Sequence, residues 1–185
     1  PSTVKTLRDY QLAAIAAVRQ EFAKGVLSTL VTLPTGTGKT VLLSRLASEW
    51  PHGNVLILAH RIELLEQAAD KLSTELGFRP PIEQGQRGLD DEGMWSGGNV
   101  VIGSVATLRN IKRMSKYRDY PFGLVIIDEA HHATASSYSK VMEACLEYEP
   151  GCKFLGVTAT PNRSDNAALG IVFSTSAYAM DIRTG

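Results

Sequence analysis

The chain has 185 residues, 44% of them hydrophobic and 21% charged, a balance that fits one globular domain and excludes disordered, collagen-like and low-complexity chains. Nineteen basic residues match nineteen acidic ones, so net charge argues neither for nor against an anionic partner. No apolar run approaches the ~18 residues of a membrane span. Two cysteines, Cys145 and Cys152, are too few for a disulfide framework or a four-ligand zinc site, and read as half-buried thiols of a reducing compartment. The start, Pro1-Ser2-Thr3-Val4, has neither a signal peptide nor an initiator Met, so a processed chain or a piece of a longer one, in the cytoplasm, is expected.

Residues 8–24 carry Leu12, Ile15, Ala16, Val18 and Phe22 at helical spacing, with Gly25 suited to the cap. Residues 27–33 are an apolar run of strand length. Helical spacing returns over 40–50 through Val41, Leu42, Leu46 and Trp50, and Pro51-His52-Gly53-Asn54 stops it. A buried run over 55–59 leads to an amphipathic helix over 61–76 (Leu64, Leu65, Ala68, Leu72, Leu76), capped by Gly77. Further buried strands are predicted over 100–102, 124–127 and 154–157, with a helix over 138–148. Apolar strands alternating with helices mean an α/β fold, a mostly parallel sheet with helices on both faces. Residues 84–98, with several glycines and Asp90, Asp91 and Glu92, read as a surface loop. Residues 167–185 have little left to pack and read as an exit from the domain.

The segment Leu33-Pro34-Thr35-Gly36-Thr37-Gly38-Lys39-Thr40 follows a predicted strand and opens a predicted helix, the context of a phosphate loop. Gly36 and Gly38 let backbone N–H groups converge on phosphate oxygens, the helix start adds positive partial charge, Lys39 supplies a cation for the β/γ-phosphates, and the Thr40 hydroxyl completes a Mg²⁺ shell. The general phosphate-loop pattern has glycine where Leu33 stands. A second anchor is Leu124-Val125-Ile126-Ile127-Asp128-Glu129, a buried strand ending in two acids, where parallel sheets bind ligands. Asp128 can hold Mg²⁺ through water, and Glu129 can polarise the water that attacks the γ-phosphate.

Asp128-Glu129-Ala130-His131, read with these strings, resembles the first RecA-like motor domain of superfamily 2 helicases and translocases, in the DEAH-type branch. Leu7-Arg8-Asp9-Tyr10-Gln11 resembles the Q-motif region, Thr35 to Thr40 motif I, and Leu58-Ala59-His60-Arg61 motif Ia. Gly103-Ser104-Val105-Ala106-Thr107-Leu108 resembles motif Ib and Thr158-Ala159-Thr160-Pro161 motif III. The resemblance implies a helix with a Q-motif-like segment over 1–26, a RecA-like ATP-binding domain over 27–166, and an exit over 167–185 towards a second RecA-like domain. It implies ATP and Mg²⁺ as cofactors, and nucleic acid, with DNA favoured and RNA possible, as partner. Gln11 would read adenine, flanked by Arg8 and Tyr10; Thr35, Gly36, Thr37, Gly38, Lys39 and Thr40 would cradle phosphate. His131 would couple the γ-phosphate to the second domain, with His132 incidental; Thr158, Ala159 and Thr160 would link hydrolysis to nucleic-acid binding; Arg61, Ser104 and Thr107 would touch strand phosphates.

The wording around His131 and His132 is similar to RadD-like and type I or type III restriction motors, which favours duplex or branched DNA. Arg109, Lys112, Arg113, Lys116 and Arg118 form a basic run with no acid inside it up to Arg118, either a phosphate-tracking patch or a solvated face. Tyr117 and Tyr120 could stack on bases or pack inward. No Gln-x-x-Gly-Arg-x-x-Arg string is present and only Arg183 lies beyond Arg163, so the arginine fingers of a second domain are expected from elsewhere, and weak turnover from this chain alone. Two other readings stay open at this stage: the motor of a restriction nuclease, and a nucleotide-dependent switch that does not translocate.

Overall fold

A computed structural model describes residues 8–33, 38–51, 53–59, 62–83, 99–128, 135–159 and 173–179. Helix α1 (Asp9–Ala23) leads into strand β1 (Ser28–Thr32), α2 (Lys39–Ser48), β2 (Asn54–Ala59) and α3 (Ile62–Leu76). Then come β3 (Ile82–Glu83), β4 (Val100–Ser104), two short helices α4 (Val105–Leu108) and α5 (Ile111–Ser115), β5 (Phe122–Asp128), α6 (Ala135–Tyr148), β6 (Lys153–Thr158) and β7 (Thr175–Ala179). The strands form one seven-stranded sheet in the order β3-β4-β2-β5-β6-β1-β7. Every pairing is parallel.

The near-continuous apolar strands are explained by burial on both faces. Along β2 and β5, Val55, Ile57, Leu124 and Ile126 point to one side, where α1, α2 and α3 pack. Leu56, Leu58, Val125 and Ile127 point to the other, where α4, α5 and α6 pack. The chain is therefore a three-layer α/β/α unit, as the alternation of helices and strands requires. Helix α1 buries Gln11, Ala14, Ile15, Val18 and Phe22, one stripe of a 3.6-residue period. It ends at Gly25, whose φ of 94° reverses the chain at no steric cost.

Two expectations change. Residues 173–179 do pack, where little was expected to pack over 167–185: β7 adds to the free edge of β1, Thr29↔Thr175 to Thr32↔Ala179, and Ala177 and Tyr178 lie against the α1 side of the core. The sequence hid this strand because Thr175-Ser176-Ala177-Tyr178-Ala179 is an edge strand without an apolar run. The cysteines are fully buried rather than half-buried. The neighbouring Cys145 thiol, then burial, pushes the Cys152 thiol well above the usual thiol range, so it is an inert core group.

Phe173 anchors the same tail. Its ring lies over Gly156 of β6, where a Cβ would stand 2.5 Å from Cζ. Gly156→Ala is expected to cost about 1–3 kcal/mol through overpacking. Calorimetry should show the lowered Tm, and Phe173→Leu in the same background should restore part of it.

Candidate nucleotide-binding site

Because all strands run the same way, Thr32, Ala59, Ser104, Asp128 and Thr158 close β1, β2, β4, β5 and β6 along one edge. Cross-strand register brings Ala59 beside Ser104, Asp128 beside Val157 and Thr32 beside Thr158. This carboxyl edge is where open α/β sheets receive ligands. Thr35, Gly36, Thr37, Arg61, Glu129, His131 and Thr160 lie outside the described residues, as does the 84–98 segment.

Gly38 is the N-cap of α2 with φ 77° and ψ 35°, a left-handed conformation that favours glycine. A Cβ there would also stand 2.6 Å from Gln11 Nε2. That closeness reflects a bond: Gln11 Nε2 donates to the Gly38 carbonyl at 2.9 Å. The Gln11 Oε1 accepts from the Arg8 backbone N–H at 2.8 Å. Gln11 is buried, so its carboxamide ties the start of α1 to the phosphate-loop segment. Arg8 itself is exposed, and Tyr10 Oη lies 3.8 Å from the same point above Gly38.

Lys39 opens α2, and its Nζ lies 2.7 Å from Asp128 Oδ1 at the end of β5, with both side chains largely buried. The two anchors read from separate parts of the sequence thus meet in one ion pair. The donor chemistry fits Mg²⁺: Asp128 and Thr40 are hard oxygen donors, few in number, and the Asp128 carboxylate already holds one cation in Lys39. Among the described residues, no group of three or more His, Cys, Asp or Glu side chains could hold a metal.

Thr158 is fully buried, and its carbonyl accepts from the Leu33 N–H at 2.9 Å. The end of β6 is therefore hydrogen-bonded to the residue that enters the phosphate loop. Ala159 follows it, half-buried.

The nucleic-acid candidates divide. Ser104 caps α4, its Oγ accepting from the Thr107 N–H at 3.0 Å and donating to Thr107 Oγ1 at 3.0 Å. Arg109 and Lys112 are exposed. Arg113 is only partly exposed, and its Nη2 donates to Glu83 Oε2 at 2.6 Å. Lys116 pairs with the same carboxylate, and Tyr117 Oη donates to Oε1 at 2.7 Å. Glu83 is fully buried in β3, so two of the run's five basic residues, Arg113 and Lys116, serve an acid about thirty residues away. Tyr117 is fully buried, packing inward rather than presenting a face for base stacking. Burial, then Glu83, pushes its phenol well above the usual range. Arg118 lies over the Tyr148 ring, 5.3 Å from its centroid. Sequence reasoning passed over Glu83 because its partners lie on α5 and in the turn after it.

The family described as the res subunit of type III restriction enzymes matches residues 4–163. IRC3 of Saccharomyces cerevisiae, described as a candidate ATP-dependent helicase, is 36% identical over 184 residues, covering 93% of this chain and 26% of that protein. XPB2 of Sulfurisphaera tokodaii, named as a DNA 3'-5' translocase, is 33% identical over 159 residues, covering 86% of this chain and 32% of that protein. The chain thus spans about a quarter to a third of these curated relatives. The UvsW helicase of bacteriophage T4 has the same fold, with a TM-score of 0.68 at 22% identity over 92% of this chain and 59% of that chain. No helix among the described residues is long and apolar enough to cross a membrane.

Proposed function

Since the chain belongs to the family of the type III restriction enzyme res subunit, we propose that it is the first RecA-like motor domain of a superfamily 2 DNA helicase or translocase, coupling ATP hydrolysis to movement on or remodelling of DNA. The observation that carries this is the Lys39–Asp128 pair at the carboxyl edge of the sheet. In nucleotide-binding proteins with a phosphate loop, a lysine and a strand-end acid share the charge of a triphosphate and its metal.

Lys39 would leave Asp128 for the β/γ-phosphates, freeing the carboxylate. Thr40 and Asp128 would then hold Mg²⁺. When bound, Mg²⁺ neutralises charge developing on the phosphate oxygens. Gln11 would face the base, as the family resemblance implies, and its bond to Gly38 means that reading the base and shaping the phosphate loop involve one side chain. Glu129 would polarise the attacking water, and His131 would face the second domain. Thr158 would pass the change at the phosphate loop on, through the Leu33 bond, towards Ala159 and Thr160. Phosphates of the strand would meet Arg61, Thr107, Arg109 and Lys112. The cations that stabilise the transferring phosphoryl group would come from a second RecA-like domain of a longer protein, leaving this chain alone with weak turnover.

Steady-state phosphate release by the full-length protein tests the proposal. ATP hydrolysis stimulated by duplex or branched DNA is expected, with RNA less effective. Hydrolysis indifferent to any nucleic acid would replace translocation with a nucleotide-dependent switch. One second reading is consistent with the family match, the motor of a restriction nuclease, which DNA cleavage requiring ATP would reveal.

A further inference from the structure

Helix α5 begins on an isoleucine that the fold does not cover. Ile111 is 78% exposed, against 52% for Leu12, 46% for Tyr120 and 43% for Leu27, the other exposed large hydrophobics among the described residues. One exposed isoleucine is ordinary on a protein surface, and so little of it is buried that it adds little to folding. Its setting is what distinguishes it. Exposed Arg109 and Asn110 precede it, and exposed Lys112 follows it. Strand β4 ends at Ser104 on the carboxyl edge of the sheet, and α4 starts at the next residue. Leu108 closes α4 down on that strand end over Gly103, where a Cβ would collide with Leu108 Cδ1. Asn110 pins the turn into α5, its Oδ1 accepting from the Lys112 N–H at 2.9 Å. On the inner side of α5, Met114 is buried and Arg113 is bonded to Glu83. These contacts fix the roll of the helix and leave Ile111 outside. An apolar tip thus stands among cations, a few residues from the edge where such sheets receive ligands.

We propose that Ile111 selects DNA over RNA by packing on the deoxyribose of a strand whose neighbouring phosphates meet Arg109 and Lys112. The inference rests on the nucleic-acid reading above and names the residue that would sort the two polymers. A strand runs phosphate, sugar, phosphate, and this segment offers cation, apolar side chain, cation in the same order. Phosphate contacts place a strand and are open to DNA and RNA alike. The difference lies at C2′. Deoxyribose has a methylene there, which gains from apolar contact, whereas ribose has a hydroxyl that is both donor and acceptor. Against isoleucine that hydroxyl loses water and finds no partner. A serine in the same place would offer one.

The test is equilibrium binding by the full-length protein, read as fluorescence anisotropy of two labelled single strands of one sequence. One is DNA with deoxyuridine in place of thymidine and the other is RNA, so that only the 2′ position differs. The wild type is expected to favour the DNA strand. Ile111→Ser should lower the DNA-to-RNA affinity ratio about 5-fold or more, the effect of no longer stranding one hydroxyl. Ile111→Val, which keeps a branched apolar side chain, should retain the wild-type ratio. Lys112→Ala should weaken both strands alike and leave the ratio where it was. Ile111→Ser should melt with the wild type, as exposed substitutions do. An unchanged ratio in Ile111→Ser would mean that the side chain does not meet the sugar, and a clear fall in its melting temperature would mean that it serves the fold; either result overturns the inference. Equal binding of the two strands by the wild type would remove the selection and leave the nucleic-acid reading standing. Binding of neither strand would remove that reading, and the inference with it.

Discussion

Lys39→Ala is expected to lower ATP turnover of the full-length protein about 10²–10³-fold, the usual loss when one preorganised donor to a developing oxyanion is removed. The helix start at Gly38 and the Asp128 pair place Lys39 at the carboxyl edge of the sheet. Once turned to the phosphates, its charge faces the developing oxyanion from a fixed helix end, and that is why one side chain can carry so much of the rate. The fold should not suffer. The pair lies at the sheet edge, with its side chains 25% and 20% exposed, so Asp128 can be solvated once the lysine is gone. Phosphate release at saturating DNA and thermal unfolding together check both halves. Turnover within twofold of wild type would remove Lys39 from the mechanism. A large drop in Tm would mean that the pair is structural first.

The meeting of Lys39 and Asp128 was legible because each anchor is announced by a local pattern. A glycine-rich turn between strand and helix marks one, and an apolar strand ending in acids marks the other. A parallel sheet does the remaining work, since strand ends fall on one edge whatever their order. The spacing of Leu72, Leu76 and Gly77 likewise announced the end of α3. What stayed hidden depends on partners far along the chain. Gln11 was singled out by the likeness of its segment to the Q-motif region, yet its bond to Gly38, 27 residues on, exists only in the fold. Strand β7 offers no apolar run, and Gly156 gives no sign that a phenylalanine will cover it. Strand β3 is two residues long, too short for any period to appear.

Glu83→Ala is the stability counterpart. Glu83 is fully buried and bonded by Arg113, Lys116 and Tyr117, so its removal leaves two cations crowded together and a buried phenol without its acceptor. Breaking a buried pair by deleting one partner costs about 3–5 kcal/mol. The lower figure applies here, because Arg113 and Lys116 are 24% and 23% exposed and can turn partly to water. For a domain of this size the expected fall in Tm is roughly 6–12 °C. Helix α5 has five residues and cannot stand alone, so hydrogen exchange should rise there first. The same geometry sorts the basic run by a measurement independent of stability. Arg109→Ala and Lys112→Ala should each reduce the salt dependence of DNA binding by about one phosphate contact, a change of ~0.9 in the slope of log K against log salt. Arg113→Ala should lower Tm and leave that slope unchanged, since its charge is committed to Glu83. A reduced slope for Arg113→Ala with normal Tm would reverse the assignment, placing this arginine on the nucleic acid and leaving Lys116 and Tyr117 to satisfy the buried carboxylate.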